Sequence, residues 1–322
     1  MSLDAVRELA ERIRHQVGRV IVGKEDIIDK LLIALVASGH VLLEDVPGTG
    51  KTLLAKSLAQ SLDCSFRRIQ FTPDLLPSDL SGIHFFNQKR SEFEFRPGPL
   101  FTHILLADEI NRATPRTQSS LLECMEERQI SIDGETRTLE RPFLVIATQN
   151  PIEHQGTFPL PEAQLDRFLF KLRMGYPTTE EGLAILKRFK DSEPLGELAS
   201  VTRADDILEA QRLYGSVAVT DEVLAYLLRI VELTRTHGDV AVGVSPRGSQ
   251  ALLKASQVHA ILQGREFVSP DDIKAMASPV LAHRLVLKSS LRSRSEAAEH
   301  IIGRIVQEVP VPAEEPARLG LR

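Results

Sequence analysis

Cysteine is scarce in this chain of 322 residues, which holds two, Cys64 and Cys124. Two thiols without metal-site spacing make no disulfide framework, so a reducing compartment, the cytoplasm, is expected. Both read as small buried residues. Long apolar runs are also missing, and none approaches the roughly 20 residues that span a bilayer. The stretch from Met1 to Leu9 mixes charges into a helical pattern and does not read as a signal peptide. No extended basic run occurs, and the net charge is −5. Phosphate contacts supply most non-specific affinity for nucleic acid, so nucleic acid is not the expected partner. There is no internal repeat, and the one biased segment is a Pro- and Glu-rich tail, 309–322, that reads as disordered.

What is present is ordinary for a globular protein, 43% hydrophobic and 26% charged, and the length favours two domains. Helical periodicity covers 4–18 and 24–38. From His40 to Ala55 the chain reads as a buried strand (41–44), a glycine-containing turn and a helix from Lys51 to Leu62. The turn ends in Gly50, Lys51 and Thr52, as a P-loop does. Gly48 and Gly50 let successive N–H groups curl inward into an anion nest at a helix N-terminus. Lys51 would reach the β- and γ-phosphates, and the Thr52 hydroxyl would ligate Mg²⁺. Asp45 stands where the P-loop pattern has its first glycine. On this stretch alone, a chance loop stays open.

Further strands are expected at 66–71, 103–109, 143–150 and 169–174, and a helix at 115–127. Alternation around turn residues predicts hairpins at 85–95 and 129–139, the second turning at Asp133-Gly134. Near-continuous apolar strands alternating with helices imply an α/β fold, a parallel five-stranded sheet sandwiched by helices. Ligands then bind beyond the carboxyl ends of the strands, where the P-loop, Asp108, Glu109 and Asn150 converge. After Tyr176-Pro177 no further strand is evident, 191–203 reads as a loop, and helices are expected at 180–190, 204–214, 221–236, 246–263 and 270–285. The domains are therefore drawn as 1–177 (α/β) and 178–308 (helical).

Asp108 at a strand end could hold Mg²⁺, and Glu109 could polarise an attacking water. The alternative is that the two acids open the next helix, whose N-terminus favours negative charge. Asn150 could orient the same water, or cap a turn before Pro151. Arg167 could reach a γ-phosphate held by a neighbouring subunit, or pair with Asp166 at the surface. Arg247 lies in a first helical turn, where a cation opposes the helix dipole. A phosphate partner would offset that cost; simple exposure is the other reading.

Four stretches, Val41 to Thr52, Leu106 to Arg112, Ala147 to Pro151 and Phe158 to Phe168, together resemble the MoxR family of AAA+ ATPases. Their order and spacing match the family over roughly 15–290, and an acid at position 45 is common there. The resemblance implies a P-loop NTPase core followed by a smaller all-α lid, and hydrolysis of ATP with Mg²⁺. It implies nucleotide contacts along Pro47, Gly48, Thr49, Gly50, Lys51, Thr52 and Leu53, with adenine near Val22 and Gly23. Lys51 and Thr52 would act in Walker A, and Asp108 and Glu109 in Walker B. Asn150 would be sensor 1, Arg167 the arginine finger and Arg247 the sensor 2 arginine. The two hairpins match the family's helix-2 and pre-sensor-1 inserts.

Family members are typically hexameric and chaperone-like, remodelling a protein client or inserting a metal or cofactor. Their usual partners carry von Willebrand A domains, and here such a partner would be a separate polypeptide. Two other readings stand beside this one. Helicase relatives carry the same hairpin pair, and Lys89, Arg90, Arg137 and Arg141 supply positive charge for DNA. Glu92, Glu94, Asp133 and Glu135 weaken that case. A nucleotide-gated switch with little turnover is the third reading.

Overall fold

A computed structural model describes residues 1–44, 46, 48–151, 156–191, 194–288 and 294–312. Asp45, Pro47 and residues 313–322 of the expected tail lie outside the described residues. The chain divides into two compact units, which part after Gly215.

The first unit opens with α1 (Leu3–Gly18) and α2 (Glu25–Val36), followed by β1 (Val41–Glu44), α3 (Lys51–Ser61) and β2 (Phe66–Gln70). Next come α4 (Pro77–Ser81), a hairpin of β3 (Gly82–Asn87) and β4 (Glu92–Pro97), then β5 (Ile104–Asp108) and α5 (Pro115–Glu127). A second hairpin, β6 (Gln129–Ile132) and β7 (Glu135–Thr138), precedes β8 (Leu144–Gln149), α6 (Glu162–Leu165) and β9 (Phe170–Leu172). The five strands β2-β5-β8-β1-β9 form one sheet, in that order and all parallel. Leu42 of β1, Leu105 of β5, Val145 of β8 and Phe170 of β9 are buried completely, as expected of strands covered on both faces. Each such side chain contributes roughly 1.5–3 kcal/mol of burial.

His40 ties the floor of this sheet together. Its Nε2–H donates to the Met125 carbonyl (2.9 Å) and its Nδ1 accepts from the Val145 N–H (3.0 Å). Burial first, and the nearby Arg128 second, push its pKa down to about 3, so the ring is neutral. Cys124 is buried and Cys64 half-buried, and burial pushes both thiols up to about 12, which leaves them unreactive at neutral pH.

Two further helices, α7 (Thr179–Asp191) and α8 (Ala204–Leu213), belong to the first unit. Arg188 donates to the carbonyls of Gly18 and Arg19 (both 2.8 Å), and Gln211 donates to that of Leu35 (2.7 Å). The change of character at 177 therefore marks the end of the sheet, while the compact unit continues to Gly215. Helices that follow the last strand fold back on α1 and α2.

The second unit contains α9 (Asp221–Thr236), β10 (Val240–Val242), α10 (Pro246–Leu262), α11 (Pro270–Leu281), β11 (Val286–Leu287) and α12 (Arg294–Glu308). It is helical apart from the antiparallel ribbon β10–β11, which sequence reasoning did not anticipate. Nor was α12 expected, although Ala298, Ile301, Ile302 and Ile305 are buried at helical spacing. Val309 is buried as well, its N–H donating to the Ile305 carbonyl (3.0 Å), so the expected disordered tail begins inside a packed helix end. Among the described residues no helix is long and apolar enough to cross a membrane.

Candidate functional site

The loop between β1 and α3 carries two left-handed glycines, Gly48 (φ 83°) and Gly50 (φ 90°). Side-chain-bearing residues rarely adopt that conformation, so glycine at both positions is a geometric requirement. Gly50 caps α3 without any side-chain acceptor, and the first turn of a helix favours an anion. Lys51 Nζ donates to the Val46 carbonyl (2.7 Å), and Thr49 Oγ1 donates to the same oxygen (3.3 Å).

Beyond the carboxyl end of β5 the two acids sit in a connected polar network. Thr148 Oγ1 donates to Asp108 Oδ1 (2.6 Å) and accepts from the Glu109 N–H (2.8 Å). Arg68 places Nη2 (2.6 Å) and Nε (3.2 Å) on Asp108 Oδ2. The same Nη2 donates to Gln70 Oε1 (3.1 Å), and Gln70 Nε2 donates to Glu109 Oε2 (2.7 Å), where Arg112 also pairs (3.2 Å). Strand register produces this meeting: Arg68 lies opposite Leu106 and Gln70 opposite Asp108, and residues two apart share a face. Glu109 itself is left-handed (φ 56°), a conformation costing roughly 1–2 kcal/mol, which the Thr148 hydrogen bond helps to hold.

One cleft of about 430 Å³ is lined by Gly48, Gly50, Lys51, Thr52, Leu53, Arg68, Gln70, Asp108, Glu109, Thr148, Gln149 and Asn150. It gathers most of the expected residues on two neighbouring elements, the loop and the strand ends. Arg68, Gln70, Thr148 and Gln149 were not anticipated; their signal was polar side chains in the last positions of strands flanking β5 and β1.

Val22, Gly23, Arg167 and Arg247, all expected at the site, do not line this cleft. Gly23 is left-handed (φ 69°) and is approached so closely by the Glu181 side chain that a Cβ there would collide. Arg167 follows α6 and turns onto α5, donating to the Leu122 carbonyl (2.7 Å) and pairing with Glu126 (3.2 Å). Arg247 is the second residue of α10 in the other unit, where Ser245 Oγ caps the helix by accepting from the Gly248 N–H (3.2 Å).

A family model described as the ATPase family associated with various cellular activities (AAA) matches residues 40–170, which hold the cleft and the sheet as far as the first residue of β9. A second model, the AAA lid domain, matches 232–305. YeaC of Bacillus subtilis, an uncharacterised protein, is 50% identical over 96% of this chain and 96% of its own. Chaperone MoxR1 of Mycobacterium tuberculosis is 42% identical over 94% of this chain and 82% of its own, and Protein MoxR of Paracoccus denitrificans is 34% identical over 91% and 94%. The chain belongs to the MoxR family of AAA+ ATPases. A crystal structure from Cytophaga hutchinsonii superposes with a TM-score of 0.89 at 37% identity, covering 96% of both chains. MoxR membership thus gives an ATP-hydrolysing enzyme with an AAA+ sheet core followed by a smaller helical lid.

Proposed function

We propose that this MoxR-family ATPase works as a homo-oligomeric ring, a hexamer, that hydrolyses ATP to remodel or activate a protein client. The observation that carries the reading is the convergence of Lys51, Thr52, Asp108, Glu109 and Asn150 on one cleft. Lys51 and the first-turn N–H groups of α3 bind the β- and γ-phosphates, with Pro47, Gly48, Thr49, Gly50 and Leu53 shaping the cradle. Val22 and Gly23 form the adenine side.

Thr52 and Asp108 hold Mg²⁺, which when bound neutralises charge on the phosphates. One carboxylate and one hydroxyl beside a phosphate cradle fit an ion that arrives with its nucleotide. Among the described residues no group of three or more His, Cys, Asp or Glu forms a dedicated metal cage. Glu109 polarises the attacking water and Asn150 orients it. Arg167 leaves its own α5 to serve a neighbour's γ-phosphate, and Arg247 acts as the lid's phosphate sensor.

The hairpins engage the client, and a separate von Willebrand A domain protein is the expected partner. A relative named Chaperone MoxR1 supports the chaperone-like role. DNA is disfavoured because two of the hairpin arginines are already paired: Arg90 with Glu94 (3.1 Å), and Arg137 with Glu135 (2.8 Å) while stacked over Phe95 (4.1 Å).

Steady-state ATPase assays test this. Lys51→Ala is expected to abolish nucleotide binding, each charged hydrogen bond being worth about 1.5–3 kcal/mol. Glu109→Gln should bind ATP yet turn over about 10²–10⁴-fold more slowly. Arg167→Ala should bind ATP but lose the rise in rate per subunit with protein concentration. Wild-type turnover in Glu109→Gln, or unchanged concentration dependence in Arg167→Ala, overturns the corresponding role.

A further inference from the structure

Arg68 has no part in the scheme above, yet it is the hub of the polar network in the cleft. Both of its donors converge on one oxygen, Asp108 Oδ2, at 2.6 and 3.2 Å. The other oxygen of Asp108 accepts from Thr148 (2.6 Å), so protein donors engage both carboxylate oxygens. A guanidinium and a divalent ion compete for Asp108, because the like charges repel across a few ångströms. The two partners of Asp108 also differ in exposure. Thr148 is buried on its strand, whereas the Arg68 side chain is 47% exposed and rests on the solvent side of an Asp108 only 14% exposed. Arg68 can therefore withdraw into water while Thr148 keeps the carboxylate oriented.

We propose that Arg68 is a built-in counter-cation for Asp108 which the divalent ion must displace. The proposal makes Arg68 a positioning residue that sets the metal concentration at which the site arms itself. It rests on the reading of this cleft as the Mg²⁺–nucleotide site.

Binding of a fluorescent ADP analogue, followed as free Mg²⁺ is raised from chelator-buffered levels, tests it without turnover. Arg68→Gln is expected to reach half-saturation at about two- to five-fold lower Mg²⁺, the range for a half-exposed ion pair. Arg68→Lys, which keeps the charge but loses the paired donors, should fall between the two. The shift should shrink as salt is raised. Matching thermal melts for the three proteins show the fold intact. An unchanged or higher Mg²⁺ midpoint in Arg68→Gln overturns the exchange. Weaker binding of the analogue at every Mg²⁺ level, chelator included, makes Arg68 a phosphate ligand and overturns it equally. If the wild type binds the analogue normally but with no dependence on metal, the counter-cation idea falls while the nucleotide site stands. Failure of the wild type to bind the analogue at all removes the site assignment and the proposal together.

Discussion

Asp108 and Asp272 are dressed alike. Asp108 accepts from Arg68 and a threonine hydroxyl. Asp272 accepts from Arg265 (2.5 and 2.6 Å), from the Ser269 hydroxyl (2.9 Å) and N–H (2.8 Å), and pairs with His259 Nδ1 (2.6 Å). Exposure separates them. The Asp272 side chain is 0% exposed, caps α11 and has every oxygen engaged from inside the second unit. Burial opposes its charge, but hydrogen bonds from His259, Arg265 and Ser269 outweigh this and hold the carboxyl well below the usual range. Asp108 stands at a cleft mouth with a half-exposed arginine that can leave. The same ion pair is thus a rivet where it is sealed and a latch where one side faces water.

Substituting each aspartate by its neutral isostere should split the two roles, and this is where the largest effects are expected. Asp272→Asn leaves Arg265 and His259 without their anion and should cost about 3–5 kcal/mol of stability. Asp108→Asn should leave melting nearly unchanged, within about 1 kcal/mol, but slow ATP turnover at least about 100-fold through loss of metal binding. Denaturant melts paired with ATPase rates measure both. Equal stability losses at the two positions would break the comparison.

Acid should separate the units next. Asp272 has its folded pKa depressed, so its contribution is present above the ordinary value of 3.8 and is lost only as pH falls through the lower folded value. His40 is neutral when folded, with its pKa lowered from 6.5 to about 3. The unfolded chain binds its proton first, so stability from His40 is complete above pH 6.5 and declines as pH falls toward 3. By pH 5 the loss in the first unit is on the order of 2 kcal/mol. Hydrogen exchange at pH 7 and pH 5 should show protection falling in the β1–β8 floor before α11. His40→Gln should flatten the decline, and a reversed order of unfolding would contradict it.

The sheet was legible because buried parallel strands such as Ile104–Asp108 are apolar end to end, and their polar last residues announce the cleft. The ribbon β10–β11 was not, since three and two residues carry no period. The packing of α7 and α8 onto the first unit was hidden for another reason. It depends on long-range donors, Arg188 and Gln211, whose carbonyl targets have no sequence signature. Lys51, Thr52, Asp108 and Glu109 were found by motif, whereas Arg68 and Gln70 fell inside a strand expected at 66–71 and were given no role. Their proximity to the acids is a matter of register, which a single strand's pattern does not specify.

The smallest expected effect is the sharpest probe of rivet against latch. Arg265→Lys keeps the charge beside Asp272 but cannot supply two donors in a fixed fork. One hydrogen bond to a fully buried carboxylate is then lost, and water cannot replace it, so stability should fall by about 1.5–3 kcal/mol. Arg68→Lys removes a pair of donors from one oxygen of Asp108, yet there water can fill the vacated donor position, and the melt should move by less than about 0.5 kcal/mol. Denaturant midpoints of the two lysine variants, measured side by side at low and high salt, provide the check. A loss at Arg68→Lys as large as that at Arg265→Lys would mean that the cleft pair is sealed in solution, with no latch to open.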